Sequence, residues 1–471
     1  MYAKSHAKVH KSKLDQGVDN NMSKKLFGTD GIRGVANEPP ITPELALKLG
    51  RAVARVLPRS GGGPHKIVIG KDTRLSGYML ETAITSGLVS EGGRVLLTGP
   101  LPTPAIAHLT RSMACDAGIM LTASHNPYGD NGIKIFGADG YKLSDELEAE
   151  IEAFLLDEKV NGPAAGTEIG KAVRIDDAVG RYIEAAKGAA GATSLGGLKV
   201  VVDCANGAGY FVAPLVFEEL GAEVVPFAVK PDGRNINADC GALHPQRAAA
   251  LVQETKADVG ICLDGDADRV IFIDGNGSVV AGDRILCLCA KALDAAGQLR
   301  KRTLVATVMS NLGLRDALSR DGIKLETTGV GDRLVIDRMR QEGFNLGGEN
   351  SGHIIFSDHA TTGDGIVSAL QVLTTMRQRR ATLAELADCM DEYPQETRNL
   401  AVKEKPPIAE VPALAVAVAE VEKALDGSGR TLVRYSGTEK KIRVLVECPD
   451  AETAKRHADF LARAVRASIG A

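Results

Sequence analysis

Large aromatic side chains are scarce in this 471-residue sequence, which has no tryptophan and only 4% aromatic residues. Apolar residues nevertheless reach 44%, so the hydrophobic cores must be built mainly from Val, Ile, Leu and Ala. The sequence has no run of about 18 apolar residues, so it predicts no membrane-spanning helix. A chain of this length predicts three or four domains at about 100–200 residues each.

An excess of charge of one sign is also missing. The 56 basic and 60 acidic residues leave a net charge of −4, which argues against a nucleic acid or a membrane surface as the partner of the whole molecule. The eight cysteines include no Cys-x-x-Cys pair, so a thiolate zinc site is not expected. We interpret them as reduced, buried small residues.

The first 21 residues carry no export signal. They are basic and polar and contain no apolar stretch of about 7–15 residues, which argues against both a signal peptide and an anchor. We expect residues 1–21 to be a disordered extension, and translation from Met22 to give an equivalent fold. The cytoplasm is the expected location.

Short β-branched runs alternate with helical apolar spacings through most of the chain. The predicted buried strands are residues 66–70, 94–99, 117–124, 199–204, 223–229, 258–263, 303–309 and 353–357. Helices are predicted after Thr42, over residues 77–90 and after Ser144. This alternation predicts mainly parallel sheets enclosed by helices.

The end of the chain has a different pattern. Residues 431–435 and 442–447 predict a hairpin, and a helix is predicted from Asp450. The predicted fold class is therefore α/β, with three related α/β domains and a smaller C-terminal α+β domain. We place the domains at residues 22–175, 176–278, 279–390 and 391–471.

One predicted strand leads into a serine-containing loop. The segment TASHNP (122–127) is followed by NGIK (131–134). Ligands meet parallel sheets at the carboxyl ends of the strands, so Ser124 is a candidate nucleophile or phosphoryl carrier. A polar turn capped by His125 is the structural alternative. A Gly-x-Ser-x-Gly elbow is missing, which argues against a hydrolase triad.

Three aspartates alternate directly after another apolar strand, in the segment DGDADR (264–269). Clustered carboxylates are unfavourable without a cation, and oxygen ligands suit Mg²⁺, Mn²⁺ or Ca²⁺. An EF-hand is excluded because Arg269 stands where Gly is needed and Gly275 where the bidentate Glu belongs. Arg269 favours a site for phosphate together with metal, and a solvated acidic turn is the structural alternative.

Two further loops contain ligand-binding residue types. The segment RYSGTEKKIR (434–443) combines a glycine turn, hydroxyls and arginines that could hold a phosphate. The segment GGENSGH (347–353) has the carboxylate and hydroxyl partners that a sugar needs, and His353 is either a proton shuttle or a satisfied loop histidine. Basic turns at 31–34, 70–74 and 331–333 suggest a doubly phosphorylated ligand.

A competing motif lies in the middle of the chain. The segment NGAGYFV (206–212) is a partial dinucleotide-binding fingerprint with Val212 in the third glycine position. A bulky residue there prevents the close approach of helix and strand, so a nicotinamide dehydrogenase is disfavoured. A sequence of the Gly-x-x-x-x-Gly-Lys-Ser/Thr type is missing as well.

These motifs, in this order, resemble the α-D-phosphohexomutase superfamily from about Lys25 to the C-terminus. The segments FGTDGIRG (27–34), IGKDTRLSG (69–77) and GDG (363–365) are similar to its bacterial phosphoglucosamine mutase branch. The resemblance implies four domains around a central cleft, with four strands in the last. It also implies an isomerase that interconverts glucosamine 6-phosphate and glucosamine 1-phosphate through a 1,6-bisphosphate and feeds UDP-N-acetylglucosamine synthesis.

The resemblance also assigns roles to individual residues. Ser124 would be the phosphoserine, and Asp264, Asp266 and Asp268 would bind one Mg²⁺ together with it. Acid–base and charge support would come from Arg33, Lys134 and His353. The expected substrate-binding residues are Glu349, Ser351, Arg269, Arg434, Ser436, Gly437, Thr438 and Arg443. A glucosamine or glucose 1,6-bisphosphate would serve as activator and intermediate.

Several points stay open at this stage. A phosphomannomutase/phosphoglucomutase is the alternative enzyme, and a non-catalytic sensor of phosphosugars is the alternative outside catalysis. The expected partner is a small phosphosugar, without nucleic acid or membrane, and a homodimer is left open. Ala267 replaces a Gly usual in the metal loop, which would cost about 1 kcal/mol if its φ is positive. Lys440 replaces a common Pro.

Overall fold

The computed structural model describes residues 26–28, 30–59, 61, 63–156, 165–436 and 440–471. The predicted N-terminal extension, residues 1–21, lies outside the described residues, as do Gly437 and Thr438. No helix in the described part of the chain is long and apolar enough to cross a membrane.

The first unit is a six-stranded sheet in the order β1-β5-β4-β2-β3-β6. Its elements are β1 (Ile32–Val35), α1 (Pro43–Val56), β2 (Lys66–Lys71), α2 (Ser76–Ser90), β3 (Arg94–Pro100), α3 (Thr103–Ser112), β4 (Ala117–Leu121), β5 (Asp130–Gly137), α4 (Asp145–Leu156), β6 (Lys171–Arg174) and α5 (Ala178–Lys187). Helix α1 begins as predicted, since the Thr42 hydroxyl accepts from the Leu45 N–H and Pro43 occupies the first turn.

The second unit is a five-stranded sheet in the order β11-β10-β9-β7-β8. Its elements are β7 (Lys199–Asp203), α6 (Val212–Glu219), β8 (Glu223–Phe227), α7 (Gln246–Thr255), β9 (Val259–Leu263), β10 (Val270–Asp274) and β11 (Val279–Val280). Strand β9 is buried along its whole length, and the aspartate segment begins at the residue after it.

The third unit is a four-stranded sheet in the order β13-β12-β14-β15. Its elements are α8 (Gly282–Ala295), β12 (Thr303–Thr307), α9 (Leu312–Arg320), β13 (Lys324–Thr328), α10 (Asp332–Glu342), β14 (Leu346–Gly348), β15 (Ile354–Phe356), α11 (Gly365–Arg379) and α12 (Leu383–Ala387). The N-cap of α11 is Asp364, and the Tyr182 hydroxyl on α5 donates its one proton to this carboxylate, at 2.9 Å from Oδ2 and 3.0 Å from Oδ1.

The last unit is small and antiparallel. It contains β16 (Gln395–Ala401), α13 (Pro412–Leu425), β17 (Arg430–Tyr435), β18 (Lys441–Glu447) and α14 (Ala451–Ser468), with the strand order β16-β18-β17. The resemblance implied four strands here, whereas the described residues form three strands and an isolated bridge between Val402 and Gly470. The predicted fold class, α/β with a smaller C-terminal α+β domain, is confirmed.

The sheets of the three larger units are parallel at the centre and antiparallel at an edge. Strand β4 pairs in parallel with β2 but antiparallel with β5, and β9 pairs in the same two ways with β7 and β10. The sequence did not reveal these returning strands. They matter because the chain turns back directly after β4 and β9, and each of those two turns carries a cluster of functional side chains.

Candidate functional site

Ser124 lies in a tight turn rather than at the end of a strand. The strand predicted over residues 117–124 stops at Leu121, and Ser124 adopts a left-handed φ of 51°. Its N–H donates to the Thr122 hydroxyl at 2.9 Å, and its carbonyl accepts from Asn237 Nδ2 at 2.9 Å. A non-glycine residue in this conformation is strained and is often held so at a functional site.

The Ser124 hydroxyl points at the aspartate cluster. Ser124 Oγ donates to Asp264 Oδ2 at 2.5 Å and lies 3.2 Å from His125 Nδ1. Ser124 is only 1% exposed and Asp264 likewise. Because β4 and β9 belong to different sheets, this contact joins the first and second units through two of the candidate site residues predicted from the sequence.

The three aspartates form a compact set of oxygen donors. Asp264, Asp266 and Asp268 each offer a carboxylate oxygen, and these oxygens lie within 4.8 Å of one another. Asp266 Oδ1 and Asp268 Oδ1 are buried without a hydrogen-bond partner. Burial raises the pKa of Asp264 well above its usual value, and the charges of Asp268 and Asp266 add to this effect. Unpaired buried oxygens on crowded carboxylates are the donor set expected for a hard divalent cation.

Lys134 partly neutralises this cluster. Its Nζ lies 2.9 Å from Asp266 and 3.1 Å from Asp268, and the side chain is 1% exposed. Burial alone would lower the pKa of Lys134, but the surrounding carboxylates raise it well above the ordinary value. The lysine is therefore firmly protonated. Asp266 also accepts from the Thr103 hydroxyl, at the start of α3, at 2.5 Å.

Lys134 is also part of a ring of alternating charges, which we call the ionic ring. Its members are Asp30, Lys142, Asp332, His353, Asp268 and Lys134. Lys142 Nζ lies 2.6 Å from both Asp30 and Asp332. Lys134 closes the ring at 3.4 Å from Asp30. Arg33 forms an ion pair with Asp30, and its buried Nε has no partner.

His353 completes the ring from the third unit. Its ring nitrogens lie 3.8 Å from Asp268 and 3.6 Å from Asp332, and its Nε2 accepts the N–H of Gly363 at 3.1 Å. Burial lowers the pKa of His353, but Asp268 and Asp332 overcome this and raise it above its usual value. The ring thus joins the first, second and third units around the aspartate cluster.

Glycines allow other backbones to contact the aspartate loop. A Cβ on Gly207 would lie 2.3 Å from the Gly265 oxygen, and one on Gly363 would lie 2.5 Å from the His353 ring. The N–H of Ala208 donates to the Gly265 oxygen at 2.8 Å. The partial fingerprint at 206–212 is therefore explained by packing on the aspartate loop, which argues against the dehydrogenase.

Ala267 has a φ of 57° and is fully buried. Ala267 thus has the positive φ for which the sequence analysis expected a cost, since a glycine would be less strained at this position. The Ala267 methyl belongs to the large core shared by the first three units.

The proposed sugar-binding residues lie on the hairpin between β14 and β15. Glu349 is 9% exposed and accepts from the N–H of Gly331 at 3.2 Å, whereas Ser351 is exposed. Burial lowers the pKa of the Arg269 guanidinium, but Asp268 and Asp264, with a smaller effect from Glu349, raise it above the ordinary value. Arg269 also contacts His125 Nδ1 at 3.3 Å. Arg269 thus borders the Ser124 turn, and Glu349 lies near Arg269.

The proposed phosphate-binding residues of the last unit form a separate group. Arg434 and Arg443 are directly opposite each other on β17 and β18. Burial and the neighbouring Arg443 lower the pKa of Arg434. Among the described residues, neither guanidinium has a hydrogen bond or ion pair, and none joins them to Ser124. Ser436 is buried beside them, and its carbonyl accepts from Lys405.

The basic turns do not all bind ligand. Arg74 is fully buried and donates to the carbonyls of Ser124 and Asn126, so it shapes the serine turn. Lys71 pairs with Glu81 at 2.5 Å. Arg333 pairs with Glu148 at 3.1 Å. The charges of these three cations are paired within the protein, that of Arg74 with Asp72, although Arg74 Nε is buried without a hydrogen-bond partner.

Sequence reasoning overlooked Asp30 and Lys142, and it treated Asp332 only as part of a basic turn. Asp30 lies inside the segment FGTDGIRG, in which only Arg33 was named as a candidate site residue. Lys142 follows β5 in an ordinary turn, with no local pattern to mark it. Its importance comes from contacts between residues 190 positions apart, which no local signal could have revealed.

Models of four domains of one family match the chain in order. They are described as phosphoglucomutase/phosphomannomutase alpha/beta/alpha domains I, II and III and C-terminal domain, and they match residues 24–161, 180–277, 281–393 and 398–464. A curated protein of Anaeromyxobacter dehalogenans named phosphoglucosamine mutase is 55% identical over 459 residues, covering 95% of this chain and 100% of that protein. Another of the same name from Geobacter sp. is 53% identical over 450 residues, covering 95% and 99%.

Solved structures show the same fold. A phosphoglucomutase/phosphomannomutase family protein of Burkholderia thailandensis superposes with a TM-score of 0.78 at 25% identity, covering 94% of this chain and 97% of that one. The N-acetylphosphoglucosamine mutase of Aspergillus fumigatus, in complex with GlcNAc-6P and magnesium, superposes with a TM-score of 0.65 at 18% identity, covering 94% and 95%. The latter is a likeness of fold.

Proposed function

The chain belongs to the phosphoglucomutase/phosphomannomutase family, and from that premise we propose that it interconverts glucosamine 6-phosphate and glucosamine 1-phosphate through a phosphate on Ser124. The superfamily resemblance inferred from the motifs is confirmed by the four matching domains. The relatives named phosphoglucosamine mutase, at 53–55% identity over nearly the whole chain, support the amino sugar. The activity is that of an isomerase.

One observation carries the proposal above all others. The strained, buried Ser124 directs its hydroxyl 2.5 Å from Asp264 within a carboxylate cluster that has unpaired oxygens. A sensor of phosphosugars would need neither a strained serine nor this contact. A phosphoryl carrier needs both, because the serine must alternate between hydroxyl and phosphate next to groups that stabilise the charge.

The aspartate cluster fits a divalent cation such as Mg²⁺. Asp264, Asp266, Asp268 and an oxygen of phosphorylated Ser124 would hold the ion, which when bound supplies positive charge to the transferring phosphoryl group. Hydroxyl and carboxylate oxygens match the ligand preference of Mg²⁺, and the two orphaned oxygens give it a favourable place.

The protein's own cations complete the charge balance. Lys134 is held protonated by Asp266 and Asp268 and acts as a fixed positive charge beside the reacting oxygen. Arg33 has a buried, unpartnered Nε that could donate to a phosphoryl oxygen. His353 has one ring nitrogen that accepts from Gly363, and its ring lies against Asp268 and Asp332. Its role is therefore to balance the charge of these carboxylates and not to exchange protons with the substrate.

The reaction runs as two transfers through Ser124. Phosphorylated Ser124 gives its phosphoryl group to the C1 hydroxyl of glucosamine 6-phosphate, and the proton of that hydroxyl passes to the serine oxygen, which leaves the 1,6-bisphosphate and a serine hydroxyl. The intermediate reorients, and Ser124 attacks its 6-phosphate, which restores phosphorylated Ser124 and releases glucosamine 1-phosphate with a C6 hydroxyl. Because Asp264 would hold the cation, His125 Nδ1 at 3.2 Å is the acceptor for the departing Ser124 proton, which ends on the C6 oxygen. Glu349 and Ser351 would hold sugar hydroxyls, and Arg434, Ser436, Gly437, Thr438 and Arg443 the distal phosphate.

The test combines mass, metal and substrate. The intact protein should carry a phosphoryl adduct of ~80 Da on Ser124, and Ser124→Ala should lose both the adduct and, by orders of magnitude, the activity. Ser86→Ala, on the exposed face of α2, is the matched control. Chelation should abolish turnover and Mg²⁺ restore it. A fully active Ser124→Ala would refute the carrier role.

The substrate is tested on a panel of 6-phosphates. We expect kcat/KM for glucosamine 6-phosphate to exceed that for glucose 6-phosphate by at least ~10-fold, or about 1.4 kcal/mol, with mannose 6-phosphate slower still. A preference for glucose or mannose would leave Ser124 and the metal site standing and would favour the phosphomannomutase/phosphoglucomutase alternative.

The proposal extends to the surroundings of the reaction. We expect glucosamine or glucose 1,6-bisphosphate to activate the unphosphorylated protein by delivering a phosphoryl group to Ser124. We also expect the protein to act in the cytoplasm on a small phosphosugar, as a homodimer. Sedimentation of the full chain checks the last point.

A further inference from the structure

Two cysteines of the third unit lie close together, near the segment that leads into the last unit. Cys287 lies on α8, and Cys389 lies in the turn that follows α12. The two thiols lie close enough for each to shift the pKa of the other. Cys287 Sγ also lies 3.7 Å from the Cys389 carbonyl, and Cys389 Sγ lies 3.5 Å from the Arg284 carbonyl, one helical turn before Cys287. All eight cysteines are free, so this pair is a dithiol.

The two thiols differ in access to solvent. Cys287 is fully buried, whereas Cys389 is partly exposed and is the one cysteine of the eight that is not buried. A small oxidant can therefore reach Cys389, whereas Cys287 is shielded from solvent. An accessible thiol with a second thiol close by is typical of reversible cysteine oxidation.

Two cations lie beside Cys389, and each is also paired with a carboxylate, Lys291 with Asp321 and Arg284 with Glu392. Lys291 Nζ donates to the Cys389 carbonyl at 3.0 Å, and Arg284 donates to the Ala387 carbonyl at 2.7 Å. The Cys287 thiol, together with Lys291 and Arg284, lowers the pKa of Cys389 below that of an ordinary thiol, although burial opposes this. A larger thiolate fraction makes Cys389 the better nucleophile toward a peroxide.

We propose that Cys389 and Cys287 form a peroxide-sensitive dithiol–disulfide pair. The Cys389 thiolate attacks one oxygen of hydrogen peroxide, which gives a sulfenic acid on Cys389 and releases hydroxide. The Cys287 thiol then attacks the Cys389 sulfur, which forms the S–S bond and releases water once the thiol proton is transferred. Peroxide is thereby reduced by two electrons, and a dithiol reductant returns both thiols.

The disulfide would lock the connection to the last unit. Cys389 stands six residues before β16, in the segment that leads from the third unit into the unit carrying Arg434. The bond would fix this segment to α8. If the phosphate-binding unit moves during turnover, as the proposed function requires, oxidation should slow the reaction. This consequence rests on the proposed function, whereas the disulfide itself does not.

The chemical test needs no activity measurement. The full-length protein is treated with hydrogen peroxide, alkylated under non-reducing conditions and digested. We expect a peptide pair linked through Cys287 and Cys389 that separates with dithiothreitol. In Cys287→Ala, dimedone should label Cys389, because the sulfenic acid has lost its partner. Cys289→Ala is the matched control, since Cys289 lies on the same helix, fully packed, and should leave the linkage unchanged.

The outcomes separate the two parts of the inference. Free Cys389 after peroxide treatment, or a linkage through any other cysteine, would overturn the pair. Turnover of the reduced protein first establishes the proposed function. With that in hand, at least ~3-fold slower turnover after oxidation, reversed by dithiothreitol and absent in Cys287→Ala, supports control of the last unit. Unchanged turnover in the linked protein would overturn that control.

Discussion

Backbone conformation at single residues explains why the aspartate loop tolerates an alanine. Ala267 has a left-handed φ of 57°, which costs an L-residue roughly 1–2 kcal/mol. Its fully buried methyl group returns about 0.8 kcal/mol, and glycine would lose about 0.5–1 kcal/mol in chain entropy. The terms nearly cancel, so the loop keeps its geometry without glycine.

The prediction is that Ala267→Gly changes the free energy of unfolding by less than about 1 kcal/mol. Ala306→Gly, in the buried strand β12, removes a methyl from extended backbone and gains no conformational relief, so it should destabilise by about 1–2 kcal/mol more. Chemical denaturation of the two variants measures the difference. Equal losses would mean that the positive φ of Ala267 carries no strain.

A buried carboxyl group should make stability depend on pH. Asp283 is 5% exposed at the start of α8 and accepts from the Asn311 N–H at 2.9 Å, while its Oδ1 has no partner. Burial, with the nearby charges of Glu447 and Glu392, raises the pKa of Asp283 to about 6. The unfolded chain titrates near pH ~4, so the folded state binds more protons between these values.

The sign of the effect follows from that difference. The free energy of unfolding should fall as pH rises from about 4 to about 6, by up to about 3 kcal/mol. Asp283→Asn cannot ionise and keeps an acceptor for Asn311, so its melting temperature should exceed that of the wild type more at pH 8 than at pH 5. Asp388→Asn, with a side chain 91% exposed, is the control. A pH-independent gain in Asp283→Asn would contradict the assignment.

At the scale of elements, turns between strands carry the proposed catalytic and binding residues. The Ser124 turn follows β4, the aspartate loop follows β9, and the Glu349 loop joins β14 to β15. The first two turns were recognisable in the sequence because their candidate residues are contiguous and follow a predicted buried strand. The Glu349 loop was recognised only by its residue types, before the strand predicted over residues 353–357. The strand boundaries were less predictable, since the positive φ of Ser124 ends β4 three residues early and only the folded backbone shows it.

The β17–β18 hairpin presents two arginines with no partner among the described residues. Arg434 and Arg443 share one face of the sheet by their register, and side chains on the other face of β18 pack into the core of the last unit. Adjacent guanidinium groups repel each other, so their juxtaposition is favourable mainly when an anion lies between them.

Replacing Arg434 by Ala should therefore weaken substrate binding. We expect KM for glucosamine 6-phosphate to rise by at least ~10-fold with a smaller change in kcat, since a charge-assisted contact contributes about 1.5–3 kcal/mol. Arg398→Ala is the matched control, because Arg398 lies in the same sheet but pairs with Asp459 at 2.8 Å and Glu396 at 2.7 Å. Steady-state kinetics decides, and an unchanged KM in Arg434→Ala would exclude the role.

At the scale of the whole molecule, the contacts between units escaped prediction. The sequence indicated the α/β class, the small last domain, the serine and the aspartates. It did not indicate that Lys142 and Asp332, 190 positions apart, meet beside them. Local sequence patterns indicate whether a segment is a helix or a strand and which residue types a turn contains. The docking of separate sheets depends instead on shape and charge contributed by residues far apart in the sequence.

The ionic ring provides the strongest test of that docking. Lys142 joins Asp30 in the first unit to Asp332 in the third, at 2.6 Å each. Arg340 and Asp139 form a second ion pair between the same two units at 2.9 Å, but their side chains are 44% and 53% exposed. The two bridges thus differ mainly in burial, which decides how much each contributes.

Removing the lysine alone would take away the cation that Asp30 and Asp332 share, although Asp30 would keep Lys134 and Arg33. The two carboxylates are partly buried, with side chains 25% and 14% exposed. Lys142→Met should therefore destabilise the protein by about 1–3 kcal/mol, whereas Arg340→Met should cost less than about 1 kcal/mol because exposed pairs contribute little. Adding Asp332→Asn to Lys142→Met removes one of the stranded charges, so the double variant should regain part of the loss. Denaturation of the single and double variants measures this coupling. Equal, small losses of stability in Lys142→Met and Arg340→Met would show that the ring does not hold the first and third units together. Removing the cation from a more buried ion pair should destabilise the protein more than removing it from an exposed pair.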